Sequence, residues 1–237
     1  DSVIKKQSNR TQEVIDSVNA IMKIKTEQPV CHSRYVLKIL DDNGRQAVRY
    51  METNAGDIVT DAYRELSGAD VAVTNGGGIR NELPAGHLTY GDIISLLPYD
   101  NNICVVEVTG EEIIDMLESC CQATPQESGD FPQVSGMKFT IDTSRKPRIS
   151  NLLIYDKKTS AYQPVELTRR YSLATIDYCI SGGGLNEKLK NAKILKENLF
   201  RYSDIVVKYI KENLNGEIPD CYAAPQGRIT IIRGKKK

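Results

Sequence analysis

The stretch VAVTNGGGIRNELPAG, Val71 to Gly86, carries the reading of this chain. Its first residues form a short apolar run rich in β-branched side chains, the mark of a buried strand, and they lead straight into three glycines. A strand that empties into a glycine loop is where α/β proteins receive ligands, outside the carboxyl end of a sheet. Gly76, Gly77 and Gly78 expose backbone N–H groups without side-chain obstruction, which suits an anion or a flat ring. Arg80 adds a planar donor fork for phosphate or carboxylate. The loop has neither the Gly-Lys-Ser/Thr of a Walker loop nor the G-x-G-x-x-G spacing. On spacing alone, a tight strand-to-helix turn is an equal reading.

Upstream of this stretch, Ser8 to Ile24 has an amphipathic helical period, with Val14, Ile15, Val18, Ile21 and Met22 on one stripe. YVLKIL (Tyr35–Leu40) and AVRYM (Ala47–Met51) alternate like two strands split by the turn signal DDNG. Asn54 reads as the N-cap of a helix over DIVTDAYREL that ends at Gly68. Downstream, Thr89 with Asp92 and Thr109 with Glu112 fit the capping-box spacing and predict two helix starts around a strand over ICVVEV. MKFTID, NLLIY and RYSLATI read as strands, a helix starts near Ser203, and RITII is a closing strand. Helices interleaved with strands in both halves imply a mixed α/β, α+β fold with helix-covered sheets.

The 237 residues balance 31 basic against 31 acidic side chains, which argues against a nucleic-acid polymer as partner. No run of about 18 apolar residues is present, so no membrane span is expected. The six cysteines show no C-x-x-C spacing, and His32 and His87 lie in no metal-binding pattern, so no metal or other cofactor is expected on this chain. Cys179 has no histidine partner in the sequence and reads as a buried structural thiol. Because the chain opens at Asp1 rather than Met, a processed or truncated start is expected.

A second glycine run, SGGGL from Ser181 to Leu185, is read as following a strand and is preceded by Asp177 and Tyr178. Two such loops suggest one shared site, with Tyr99 of LLPYD and Tyr178 stacking on the two faces of a base. The alternative is that each tyrosine is a half-buried packing residue with a wet hydroxyl.

NGGGIR, LPY, GDFPQVSG with DTSRKP, and ATIDYCISGGG, in that order, resemble the C-terminal domain of the 5'-nucleotidase family from about Tyr35 onward. The resemblance implies a four-layer α/β/β/α sandwich over residues 26–237, a linker-like helix over residues 1–25, and a role in binding a nucleotide or nucleoside substrate. It also implies a partner metallophosphatase domain or chain that holds divalent metals and performs the hydrolysis. That partner's D-x-H, G-N-H-E and H-x-H motifs are absent from this sequence.

Carried over residue by residue, Asn75 and Arg80 match the family's nucleotide contacts, and Tyr99 and Tyr178 match its base-stacking aromatics. Gly184 stands where the family has a ribose-binding acid, and Met51 where it has an arginine. Arg49, two residues before Met51, would point to the same face of a strand and replace that arginine. The resemblance further implies a periplasmic or cell-surface location. A degenerate domain that acts as an interaction scaffold is the rival reading, and a domain cut from a full-length nucleotidase is a third.

Overall fold

A computed structural model describes residues 2–183 and 189–233. In chain order the first half contains α1 (Ser2–Thr26), β1 (Pro29–Ser33), α2 (Asn54–Ser67), β2 (Val71–Asn75), β3 (Gly86–Thr89), α3 (Tyr90–Leu96), β4 (Ile103–Thr109) and α4 (Gly110–Cys120). The second half contains β5 (Pro132–Ser135), β6 (Met137–Asp142), β7 (Ile149–Asp156), β8 (Ala161–Pro164), β9 (Arg170–Ile176), α5 (Asp177–Ile180), β10 (Lys193–Lys196), α6 (Tyr202–Glu212), β11 (Glu217–Ile218) and β12 (Ile229–Ile232).

The strands form three sheets, ordered β10-β4-β9-β2-β5, β12-β6-β7-β8 and β11-β1-β3. All five residues of β2 are buried, the polar Thr74 and Asn75 with the apolar Val71–Val73, as in a strand flanked on both sides. α2 lies across β2, β9 and β5 and is covered by α6, while α4 packs against β4 and reaches β7 of the four-stranded sheet. Glu118 of α4 makes that second contact specific by accepting the N–H groups of Arg148 and Ile149 at 3.0 and 2.6 Å. The result is the mixed α+β sandwich expected from the sequence.

Both predicted capping boxes form, on Thr89 and on Thr109. Other local readings need correction. Thr53, not Asn54, caps α2, its side chain accepting the Gly56 N–H. The Asn54 amide instead ties α2 to two other segments, accepting from Lys38 N and donating to the carbonyls of Val36 and Tyr222.

Tyr35–Leu40 buries Leu37 and Ile39, yet it forms no strand, only an isolated antiparallel bridge between Leu37 and Leu83. Past the bridge its N–H groups go to side chains: Asn54 accepts Lys38 N at 2.7 Å, and Glu82 accepts both Ile39 N and Leu40 N at 3.0 Å. Ala47–Arg49 is a 3-10 turn rather than part of a strand. Buried Gln133 holds the chain there, its amide donating to the carbonyls of Val48 and Met51 while its oxygen accepts Thr53 N. The second glycine run follows the short helix α5, not a strand directly, because β9 ends at Ile176.

α1 carries the predicted stripe, and Val14, Ile15, Val18, Ile21 and Met22 on it are all exposed. Among the described residues no helix is long and apolar enough to cross a membrane.

Candidate functional site

Strand direction determines which loops meet. β2 and β9 run parallel as neighbours, so the chain leaves Asn75 and Ile176 at one edge of the five-stranded sheet. β5 runs against β2 with Pro132 opposite Asn75, and β4 runs against β9 with Ile103 opposite Ile176. The loops that enter β5 and β4 therefore reach the same edge. The four segments enclose a cleft of about 340 Å³ lined by Asn75, Gly77, Gly78, Tyr99, Asn101, Gly129, Asp130, Ile176 and Tyr178. That volume lies in the range of small-molecule sites.

The walls are tied to each other. Gly76 N donates to Phe131 O at 2.7 Å, Gly77 N to Gly129 O at 2.8 Å, and Asn75 Nδ2 to Gly129 O at 3.3 Å. Ser128 N donates to Arg49 O at 2.9 Å, and Ser128 Oγ accepts Asp130 N at 3.2 Å. The N–H groups of Gly76 and Gly77 are thus used within the fold. What these glycines provide is close approach: a Cβ on Gly76 would lie 2.1 Å from Val48 O, and one on Gly77 3.0 Å from the Gly129 backbone.

The two tyrosines are anchored through their backbones, and their rings are half-exposed. Tyr99 N donates to the hydroxyl of buried Tyr202 on α6. The Asp177 carboxylate accepts Tyr178 N at 2.8 Å and Asn102 N at 3.0 Å, which joins α5 to the entry of β4. Tyr99 and Tyr178 are 49% and 48% exposed, and no other of the twelve tyrosines is comparably open. Gly183 lies against the Tyr178 ring, where a Cβ would meet ring carbons at 2.4 Å.

The other predicted residues lie off the cleft wall. Gly76 faces Val48 and Phe131 instead. Arg80 is exposed beside the wall, with Nη1 3.5 Å from Gly77 O. Arg49 does not line the cleft either, and its buried Nε has no hydrogen-bond partner among the described residues. Because Arg49 ends a 3-10 turn, the same-face argument that paired it with Met51 in a strand does not apply. Gly184 lies outside the described residues.

Asn101, Gly129 and Asp130 line the cleft although none was picked out as a site residue from the sequence. The GDFPQVSG motif contained the last two and was the available signal.

Burial pushes the Asp130 carboxyl above its ordinary range, and no neighbouring charge offsets it. Burial also pushes the Cys179 thiol up to about 12. With its Sγ 3.9 Å from Asn75 Oδ1, Cys179 is a buried thiol packed behind the wall. His32 and His87 face each other across β1 and β3, ring centroids 5.1 Å apart, and do not line the cleft.

A family model described as 5'-nucleotidase, C-terminal domain, matches residues 29–191. Among curated proteins, Protein UshA of Escherichia coli is 27% identical over 208 residues, covering 86% of this chain and 36% of that protein. A 5'-nucleotidase of Vibrio vulnificus is 31% identical, covering 77% of this chain and 34% of that protein. The chain thus spans about a third of the length of these relatives. The crystal structure of a 5'-nucleotidase precursor from Thermus thermophilus superposes with a TM-score of 0.79 at 27% identity, covering 93% of this chain and 43% of that one.

Proposed function

We propose a function from one premise: the chain belongs to the 5'-nucleotidase C-terminal domain family. In our reading it is the substrate-binding domain of a 5'-nucleotidase-type phosphohydrolase. The cleft takes a nucleotide or nucleoside, with the base between Tyr99 and Tyr178 and Asn75 meeting a polar atom of the ligand. The observation that carries this reading is the exposure of two tyrosines lining one cleft in a chain that otherwise buries its tyrosines or half-covers them. Stacking on each ring is worth about 1–3 kcal/mol per base.

Phosphoester cleavage in this reading belongs to a metallophosphatase domain, in the same protein or in a partner chain, whose divalent ions activate the attacking water. The family resemblance also supports a periplasmic or cell-surface location. The exposed stripe of α1 favours a second reading, in which the domain serves as an interaction scaffold.

Calorimetric titration with adenosine, AMP and a nucleoside panel separates the two. Saturable binding is expected, and Tyr178→Ala should weaken it roughly 5- to 100-fold. Unchanged affinity in that variant would sink the clamp. Silence across the panel would favour the scaffold.

A further inference from the structure

Asp130 is the one charged side chain among the described residues that line the cleft. Its carboxylate makes no hydrogen bond or ion pair with any described residue, and burial alone accounts for its raised pKa. Its backbone is nevertheless held in place: Asp130 N donates to Ser128 Oγ, and the adjoining Gly129 carbonyl accepts from both Gly77 and Asn75. An exposed carboxylate that lines the cleft on a pinned loop, without a described protein partner, is an acceptor open to a ligand.

The chemistry it selects follows from what a carboxylate can do. It accepts two hydrogen bonds at once and donates none, so it matches two adjacent donors. It repels phosphate, so it stands at the nucleoside end of a nucleotide and not at the phosphate end. The second glycine loop, where the family resemblance leads one to look for an acid, has Gly184 instead. The loop before β5 carries a carboxylate in the same cleft.

We propose that Asp130 is a specificity-determining residue that accepts paired hydrogen bonds from neighbouring donors on the ligand, the vicinal diol of a ribose or the imino and amino edge of a purine. This rests on the nucleoside reading above, and it adds a contact that the stacking clamp does not need.

The test is calorimetry on the 237-residue chain, comparing the wild type with Asp130→Asn and Tyr178→Ala. The ligands are guanosine, inosine, adenosine and 2'-deoxyguanosine. Asp130→Asn should bind its best ligand roughly 10- to 100-fold more weakly, the usual worth of a hydrogen bond to a charged group. If the diol is the donor pair, the three ribonucleosides lose together, and 2'-deoxyguanosine is weak already and indifferent to the substitution. If the base edge is the donor pair, guanosine and 2'-deoxyguanosine lose while adenosine does not.

Asp130 keeps only its backbone in the fold, so matching thermal melts are expected; Asp130→Ser is the second variant where the asparagine alters the melt. The assignment is overturned if Tyr178→Ala weakens binding while Asp130→Asn and Asp130→Ser leave every ligand within twofold. If the wild type binds none of the four, the nucleoside reading fails and takes this assignment with it.

Discussion

A methyl group at Gly76 would sit 2.1 Å from the Val48 carbonyl oxygen, whereas one at Gly183 would meet ring carbons of Tyr178 at 2.4 Å. The two distances are alike but their consequences are not, because a backbone carbonyl held by Gln133 cannot retreat and a half-exposed ring can. Gly76→Ala should therefore lower stability by about 2 kcal/mol or more, read as a drop in the urea midpoint. Gly183→Ala should cost under about 1 kcal/mol of stability yet weaken nucleoside binding several-fold by displacing the ring. Equal effects on both readouts would mean that Gly183 is a packing glycine only. At this scale residue type and pattern singled out Asn75, Tyr99 and Tyr178, and the fold sets all three along one cleft. Asp130 could not be found that way. An aspartate in a loop is ordinary, and only strand pairing brings it beside a glycine turn far away in the chain.

Thr109 and Glu112 show what makes an element readable. Thr109 Oγ1 accepts Glu112 N at 3.2 Å and the Glu112 carboxylate accepts Thr109 N at 2.7 Å, so both halves of the signal lie within four residues. Thr109→Ala should destabilise the protein by about 1 kcal/mol and Thr109→Ser by much less, measured by chemical denaturation. An equal loss in both would place the effect in the threonine methyl rather than in the cap. Tyr35–Leu40 shows the opposite case. Its alternation truly reports burial, since Leu37 and Ile39 are buried, but its ladder stops at a single Leu37–Leu83 bridge, beyond which the carboxylate of Glu82, more than 40 residues away, takes the N–H groups of Ile39 and Leu40. A period-two pattern records which side chains are buried. It does not record who satisfies the backbone, and that depends on tertiary structure.

For the whole molecule, Arg228 is the residue that locks the end of the chain to its middle. Its guanidinium reaches Asp61 and Thr60 of α2, Asp57 at 3.4 Å, and the Val134 carbonyl of β5, just before the chain enters β12. One buried cation thus stands among Asp57, Asp61 and Glu52, three carboxyls within the core. Asp61 lies 2.7 Å from the guanidinium, and Glu52 is satisfied on one oxygen by Arg228 N and Ile229 N. That leaves Asp57 with too little of the positive charge, and burial outweighs the pull of Arg228 to raise its pKa to about 8 from 3.8. The sign of the linkage follows. A carboxyl whose pKa is higher folded than unfolded binds a proton on folding, so its contribution is fully present below about pH 4 and is lost as pH rises through about 8. Stability from this group should therefore fall between these limits, opposite to the usual behaviour of an ion-paired aspartate. Asp57→Asn mimics the protonated form and should remove the fall. Urea unfolding at pH 5 and pH 9 should show the wild type losing more than about 1 kcal/mol relative to the variant across that interval. If the two proteins instead track each other with pH, Asp57 is ionised in the folded state beside Arg228.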